Sequence, residues 1–458
     1  MKMKTSLSIA IFVAVVLAFS ANVFADDFDW LHNWEGVELT LSSHTGPTTD
    51  AYAVLCREFE ELTGAKVTVI DESWTDLLVK HLAAFVAGTG EYDILTFPYI
   101  WFGHYAEGMM VENLDEWFAR EDLVDPNYGM DDFVPAILDA YGRYTTGFTP
   151  DPEALWSVPY KFDIYLAQYR TDLFEEAGIV DADGVAKEPE TWDELHDSLQ
   201  KLQEAFPDIS PLSLPLAISD PMAATFVPIL ACYGGDAPSV IYDENVYPLF
   251  HGPAGVEAVT MLKDLLPFQP PDALSFDYDM VNAQMAQGMA AYAINWNAYL
   301  PVLLDPTASV IHEDVAFALT PGGPEGRYQG LGGWQMGISV NSRNKEAAFQ
   351  LLQFLSGKTK GVELALEGGS VARYSVAQNP EVIEAFPFYP LLIEALSDVA
   401  MRGTDRSWTE VEMALAVGLN EILLGTVEPE EGLVATAREV FDIARAAGYN
   451  PEESGPRP

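Results

Sequence analysis

Apolar residues along this chain recur with two different periods that alternate at short intervals. Val37 to Ser42 alternates apolar and polar positions, the period of a half-buried strand. Asp50 to Thr63 then places Tyr52, Leu55, Cys56, Phe59 and Leu62 on one helical face, with Gly64 as a stop. Lys66 to Ile70 reads as a second strand. Thr75 is expected to cap a helix carrying Leu78, Leu82, Phe85 and Val86, closed by Gly88, and Tyr92 to Phe97 reads as a third strand. This alternation predicts an α/β layer built on a parallel sheet. Ligands bind beyond the carboxyl ends of such strands, which points to Ser42-Ser43-His44-Thr45 and to Phe97-Pro98-Tyr99-Ile100-Trp101.

The first 25 residues follow another pattern. Lys2 and Lys4 precede an almost wholly apolar run from Ser8 to Phe19, and Val23-Phe24-Ala25 offers small residues for a signal peptidase. Export with cleavage after Ala25 is expected, with a retained anchor as the alternative; the run is short for a bilayer span. No cysteine near the cleavage point suggests a lipid anchor, and no later stretch could span a membrane. A periplasmic or extracellular location follows.

Pro and Gly clusters at Thr146 to Pro152, Pro267 to Pro271 and Pro321 to Gly326 mark breaks, none long enough to be a linker between independent modules. Acidic residues number 70 against 23 basic ones, so the surface repels nucleic acid and anionic lipid. Such an excess suits a salty habitat. Cys56 and Cys232 both sit in apolar stretches and are expected to be separate buried thiols.

Catalytic signatures are scarce. There is no GxSxG elbow, no phosphate loop and no HExxH, and the seven histidines are dispersed, so no catalytic residue, metal or cofactor is expected. Aromatic residues are more telling: Trp74, Tyr99, Trp101, Trp296, Trp334 and Trp408 fall where loops or element ends are expected. Aromatic faces cover the apolar side of a sugar ring while carboxylates and amides bond its hydroxyl rim.

The order of segments resembles the family 1 extracellular solute-binding proteins of ATP-driven importers, the group that includes maltose-binding protein. The matching stretches are FEELTGAKVTV, TGEYDILTFPYIWFGHYAEGMMVENLDEW, VPYKFDIYLAQYRTDLFEEAGI, PETWDELHDSLQKL, ILACYGGD, MAQGMAAYAINW, GLGGWQMGISVNSRNKEAAFQLLQFLSG and AREVFDIARAAGY. They occur in family order and spacing over nearly the whole mature chain.

The resemblance implies the two-lobed α/β fold of type II periplasmic-binding proteins, with a hinge and a ligand cleft. Residues 26–163 and 333–370 would form the N-terminal lobe, and 164–332 and 371–458 the C-terminal lobe. Crossings would fall at Pro159 to Asp163, Leu331 to Trp334 and Gly368-Gly369-Ser370. The implied ligand-binding residues are Ser43, His44, Thr45, Trp74, Tyr99, Trp101, Asp163, Met222, Trp296, Asn297, Gly333, Trp334, Arg373, Arg402 and Trp408. Where the maltose binder has an Asp-Arg pair after its third strand, this chain has Ile100-Trp101, so its ligand differs. The implied function is capture of a small polar ligand, a mono- or oligosaccharide, by a monomer that delivers it to the membrane permease of an ABC importer. The alternatives are a secreted carbohydrate-active enzyme, or the same fold binding a polyol or glycerol-phosphate ester.

Overall fold

The three strands expected near the start of the chain are present as β1 (Glu38–His44), β2 (Lys66–Glu72) and β3 (Ile94–Pro98), joined by α1 (Pro47–Thr63) and α2 (Trp74–Ala87). This is a computed structural model, and it describes residues 28–145, 148–149, 151–234, 241–367 and 372–458. The export segment and the Gly368-Gly369-Ser370 crossing lie outside the described residues. On α1 the apolar stripe buries Tyr52, Leu55, Cys56 and Phe59, and Gly64 ends the helix at φ 78, its N–H donating to the Glu60 carbonyl. Leu62, expected on the same stripe, is exposed because it lies in the last turn. Ser73, not Thr75, holds the N-cap position of α2, so the helix begins on Trp74.

β1 pairs in parallel with both β2 and β3, but β3 is followed across the sheet by an antiparallel strand, β8 (Gln329–Ile338). The sheet is therefore mixed, and its topology explains why no linker is visible in the sequence. Strand order is β2-β1-β3-β8-β4-β6-β5. β4 (Val158–Arg170) is long enough to serve two half-sheets: Val158 to Ile164 pairs with β8, while Tyr165 to Tyr169 pairs with β6 (Ala290–Trp296) and Leu166 to Arg170 with β7 (Val315–Leu319). β5 (Ser210–Ser213) runs parallel to β6. Within the sheet, the two halves are joined where β4 and β8 run side by side.

Each half carries its own helices. Besides α1 and α2, the first half keeps α3 (Phe102–Ala106), which follows β3. The second half carries α4 (Asp220–Gly234) and α5 (Pro253–Leu265). Returning to the first half, α6 (Lys345–Ser356) packs on β8 and α1, and α7 (Lys358–Leu366) follows it. Beyond the undescribed stretch, residues 373–385 still pack on the first half. Arg373 is clamped there by bonds from Nε to the Ser356 carbonyl and from Nη1 to the Gly129 carbonyl, 2.7 and 2.8 Å, and residues 380–385 pack against α7. The chain then passes through α8 (Tyr389–Ala395), which touches β7, to β9 (Val399–Ala400), which pairs with β8 at Gln329 and Gly330. The last helices, α9 (Trp408–Leu423) and α10 (Pro429–Ala446), pack on α4 and α5. Cys56 on α1 and Cys232 on α4 are buried free thiols, and burial pushes the Cys56 thiol up to about 12.

Candidate ligand-binding site

Directly opposed residues on antiparallel strands share a face, and the register where the halves meet assembles a site from three strands. Lys161 faces Trp334, Asp163 faces Gly332, and Tyr165 faces Trp296. One side of this ribbon thus carries Trp334, Lys161, Asp163, Tyr165 and Trp296 in sequence from the first half to the second.

Gly332 leaves room for the Trp296 ring, since a Cβ there would lie 2.9 Å from it. Gly333 adopts φ +138, and a Cβ at that residue would meet Lys161 and Phe162 backbone atoms at 2.7 Å. The two glycines therefore serve different ends: the first admits a ring, the second lets β8 pass close to β4.

At the first end, three aromatic rings gather near Trp334. Trp74 opens α2 and packs on Trp101, centroids 4.5 Å apart, and its edge meets Trp334 at 5.8 Å. His44, at the end of β1, lies 5.1 Å from Trp334 and 5.9 Å from Trp74. Burial, then the neighbouring Lys161 charge, lowers the His44 pKa to about 4, so its ring is neutral at physiological pH. Lys161 itself sits over Trp334 at 5.8 Å and pairs with Asp163 at 3.4 Å.

At the second end, Trp296 stands 3.9 Å from Tyr165 and 6.1 Å from Tyr278, with the Arg402 guanidinium 5.6 Å from its ring. Arg402 is paired with Asp220 and, at 3.3 Å, with Glu412, while Tyr278 donates to Asp220. Burial, then the Asp220 charge, raises the Glu412 pKa, so its carboxyl tends to keep its proton beside Asp220. Tyr99 closes this end from the first half, accepting from the Arg402 N–H at 2.9 Å and donating to the Leu331 carbonyl at 3.1 Å.

Between the two ends lies Asp163. Oδ2 faces Lys161, while Oδ1 is buried with no hydrogen-bond partner among the described residues. Arg402 Nε is likewise buried and unpaired. Native interiors leave few polar atoms in that condition.

The expected residues divide accordingly. His44, Trp74, Tyr99, Trp101, Asp163, Trp296, Trp334 and Arg402 come together. Ser43 lies just beneath, accepting from Thr49 at 2.8 Å, and Asn297 Oδ1 accepts from the Ile164 N–H at 2.6 Å, fixing the chain after β6 to β4. Thr45 is exposed, and its N–H donates to the Glu72 carbonyl. Met222 is buried within α4.

Trp408 is completely buried and donates to Glu412 at 3.1 Å, so it supports Arg402 from behind. Arg373 is elsewhere, its guanidinium 3.8 Å from the Phe133 ring and 4.7 Å from Tyr128. Trp334 lies in the middle of β8, not at a loop or element end as expected. Sequence reading missed Tyr165, Asp220, Tyr278 and Glu412. The i, i+2, i+4 alternation of Lys161, Asp163 and Tyr165 could have revealed the first.

A family model described as bacterial extracellular solute-binding protein matches residues 44–361. A probable amino-acid ABC transporter periplasmic-binding protein of Sinorhizobium fredii is 24% identical over 423 residues, covering 91% of each chain. The erythritol/L-threitol-binding protein of Mycolicibacterium smegmatis is 23% identical over 352 residues, covering 75% of this chain and 71% of that one. An ABC transporter solute-binding protein from Agrobacterium radiobacter K84, solved in complex with ribitol, superposes with a TM-score of 0.77 at 26% identity, covering 90% of this chain and 100% of that one. With two half-sheets joined along paired strands and the family model covering more than half its length, the chain belongs to the bacterial extracellular solute-binding proteins.

Proposed function

We propose that the protein is an exported, non-catalytic receptor that captures an uncharged polyhydroxylated ligand, a sugar or sugar alcohol, and hands it to the permease of an ABC importer. The observation that carries this reading is Asp163 Oδ1, a buried acceptor without a donor midway between two aromatic clusters. A hydroxyl of the ligand supplies the missing donor, and the rings cover its carbon skeleton.

Charge balance argues for a neutral ligand. Lys161 is offset by Asp163 and Arg402 by Asp220, Glu412 tends to its neutral form, and His44 is neutral above about pH 4. Ribitol in the Agrobacterium radiobacter protein and the tetritols named for the Mycolicibacterium smegmatis protein support this chemistry. The Sinorhizobium fredii relative supplies the competing reading, an amino acid.

In this proposal the lobes are residues 26–163 with 333 to about 386, and 164–332 with the chain from α8 onward; cleavage after Ala25 frees the mature monomer. The test is a thermal-shift panel of tetritols, pentitols, hexitols, mono- and disaccharides, and amino acids. A ligand present at ~100 times its Kd stabilises by about 2.7 kcal/mol. Stabilisation by a polyol or sugar is the expected result; stabilisation by amino acids alone rejects the reading.

A further inference from the structure

Away from the aromatic clusters, the two halves touch a second time. Glu107, just past α3, has a side chain only 3% exposed. Its carboxylate accepts from Tyr144 Oη at 2.6 Å and Tyr449 Oη at 2.9 Å, and Arg406 Nε lies 3.4 Å away. Glu107 and Tyr144 come from the half that contains β1 to β3. Arg406 immediately precedes α9 and Tyr449 follows α10, the helices that pack on α4 and α5. One buried carboxylate therefore binds groups from both halves.

The surroundings fit a close, shape-matched contact. The Gly103 N–H donates to the Thr404 carbonyl at 2.7 Å, and a Cβ on Gly103 would lie 2.4 Å from the Arg406 nitrogen. Arg406 is sandwiched near Phe148 and Tyr449, 5.4 and 5.9 Å from their rings, and those two rings stack at 5.3 Å. None of these side chains belongs to the proposed ligand site.

We infer that Glu107, with Tyr449 and Arg406, forms a latch that favours the present arrangement of the two lobes over a more open one, and so sets the receptor's affinity from outside its binding site. A buried carboxylate is stable only while its partners stay in place. Rotating the lobes apart would strip Glu107 of Tyr449 and Arg406 together, so the latch opposes opening. Apparent affinity scales with the fraction of protein already in the competent arrangement, and each tenfold change in that fraction is a tenfold change in Kd. The inference rests on the lobe assignment proposed above, and not on the identity of the ligand.

The test uses the ligand-free mature protein carrying one spin label on each lobe, at Val79→Cys on α2 and Met413→Cys on α9. Both positions are exposed, whereas the native cysteines are buried. Pulsed dipolar spectroscopy is expected to give a minor distance matching the present arrangement beside a longer one, and Glu107→Gln to deplete the shorter distance. Tyr449→Phe, which deletes one hydroxyl and keeps the ring, should do the same to a smaller degree and serves if the first variant folds poorly. With a ligand found in the thermal-shift panel, Glu107→Gln should bind about tenfold more weakly. Identical distance distributions in the parent and both folded variants would overturn the latch, whatever the panel shows about ligands.

Discussion

Replacing Asp163 with Asn separates a binding role from a structural one. The carboxylate has one oxygen facing Lys161 at 3.4 Å and another, Oδ1, that is buried without a donor among the described residues. A buried unsatisfied polar atom costs ~1–3 kcal/mol, so the residue is a poor investment for folding alone. Asn has the same size and can still accept from Lys161; the cost of burying the carboxylate's charge disappears together with its attraction to Lys161, and the two changes oppose each other. Ligand-free stability is therefore expected to stay level.

Binding should move the other way. A hydrogen bond to a charged acceptor contributes ~1.5–3 kcal/mol, and replacing it with one to a neutral amide forfeits much of that, roughly tenfold or more in Kd. The assay is a pair of measurements on one preparation: a chemical denaturation curve without ligand, and calorimetric titration with the polyol or sugar that stabilises the parent protein. Weaker binding with unchanged stability is the predicted outcome. Loss of stability with unaltered affinity would refute the reasoning, because it would make Asp163 a structural partner of Lys161.

Three further outcomes follow from the same geometry. Trp296→Ala removes the ring that covers Gly332 and Tyr165 and should weaken binding about thirtyfold, since a buried aromatic anchor contributes ~2 kcal/mol or more; calorimetry reads it directly. Gly332→Ala puts a Cβ 2.9 Å from that ring and should displace it, weakening binding while leaving the fold intact, as far-ultraviolet circular dichroism would report. His44 has a folded pKa of about 4 against an unfolded value near 6.5, so the unfolded chain takes up a proton first. Stability should fall as pH drops from 6.5 towards 4, by up to about 1.4 kcal/mol per pH unit from this group, and denaturation curves of His44→Gln should show a shallower fall.

The first three strands were legible because each alternates or runs apolar between clear helix stops, and local pattern decides such elements. The same signal is silent about partners. Nothing in Gln329 to Ile338 tells that β8 is antiparallel to β3, or that β4 serves both halves, since pairing depends on chain topology. Trp334, expected near a loop or element end, lies inside β8, where Gly332 and Gly333 provide the seat of a ring and the close approach of two strands.

Arg373 shows the opposite failure. The resemblance places Arg373 in the cleft, yet its partners are two carbonyls, two aromatic rings and the Asp132 carboxylate, more than 200 residues away in sequence or across a helix end. Trp296 stands out by its position after an apolar run, whereas Asp163 and Arg402 come only from the resemblance. The chemistry that links them, a charge-balanced site with one unpaired acceptor, needed coordinates.

The central claim is that ligand draws two lobes together and leaves unaltered. Only a ligand that interacts better with one arrangement can shift the population towards it, and a site built from β1, β3, β4, β6 and β8 spans both halves. Small-angle scattering of the mature protein, with and without the stabilising polyol or sugar, measures this directly, with the ligand recovered afterwards and analysed for conversion. The account predicts a smaller radius of gyration at saturating ligand and quantitative recovery of that ligand. An unchanged radius at saturation, or a converted ligand, would contradict it.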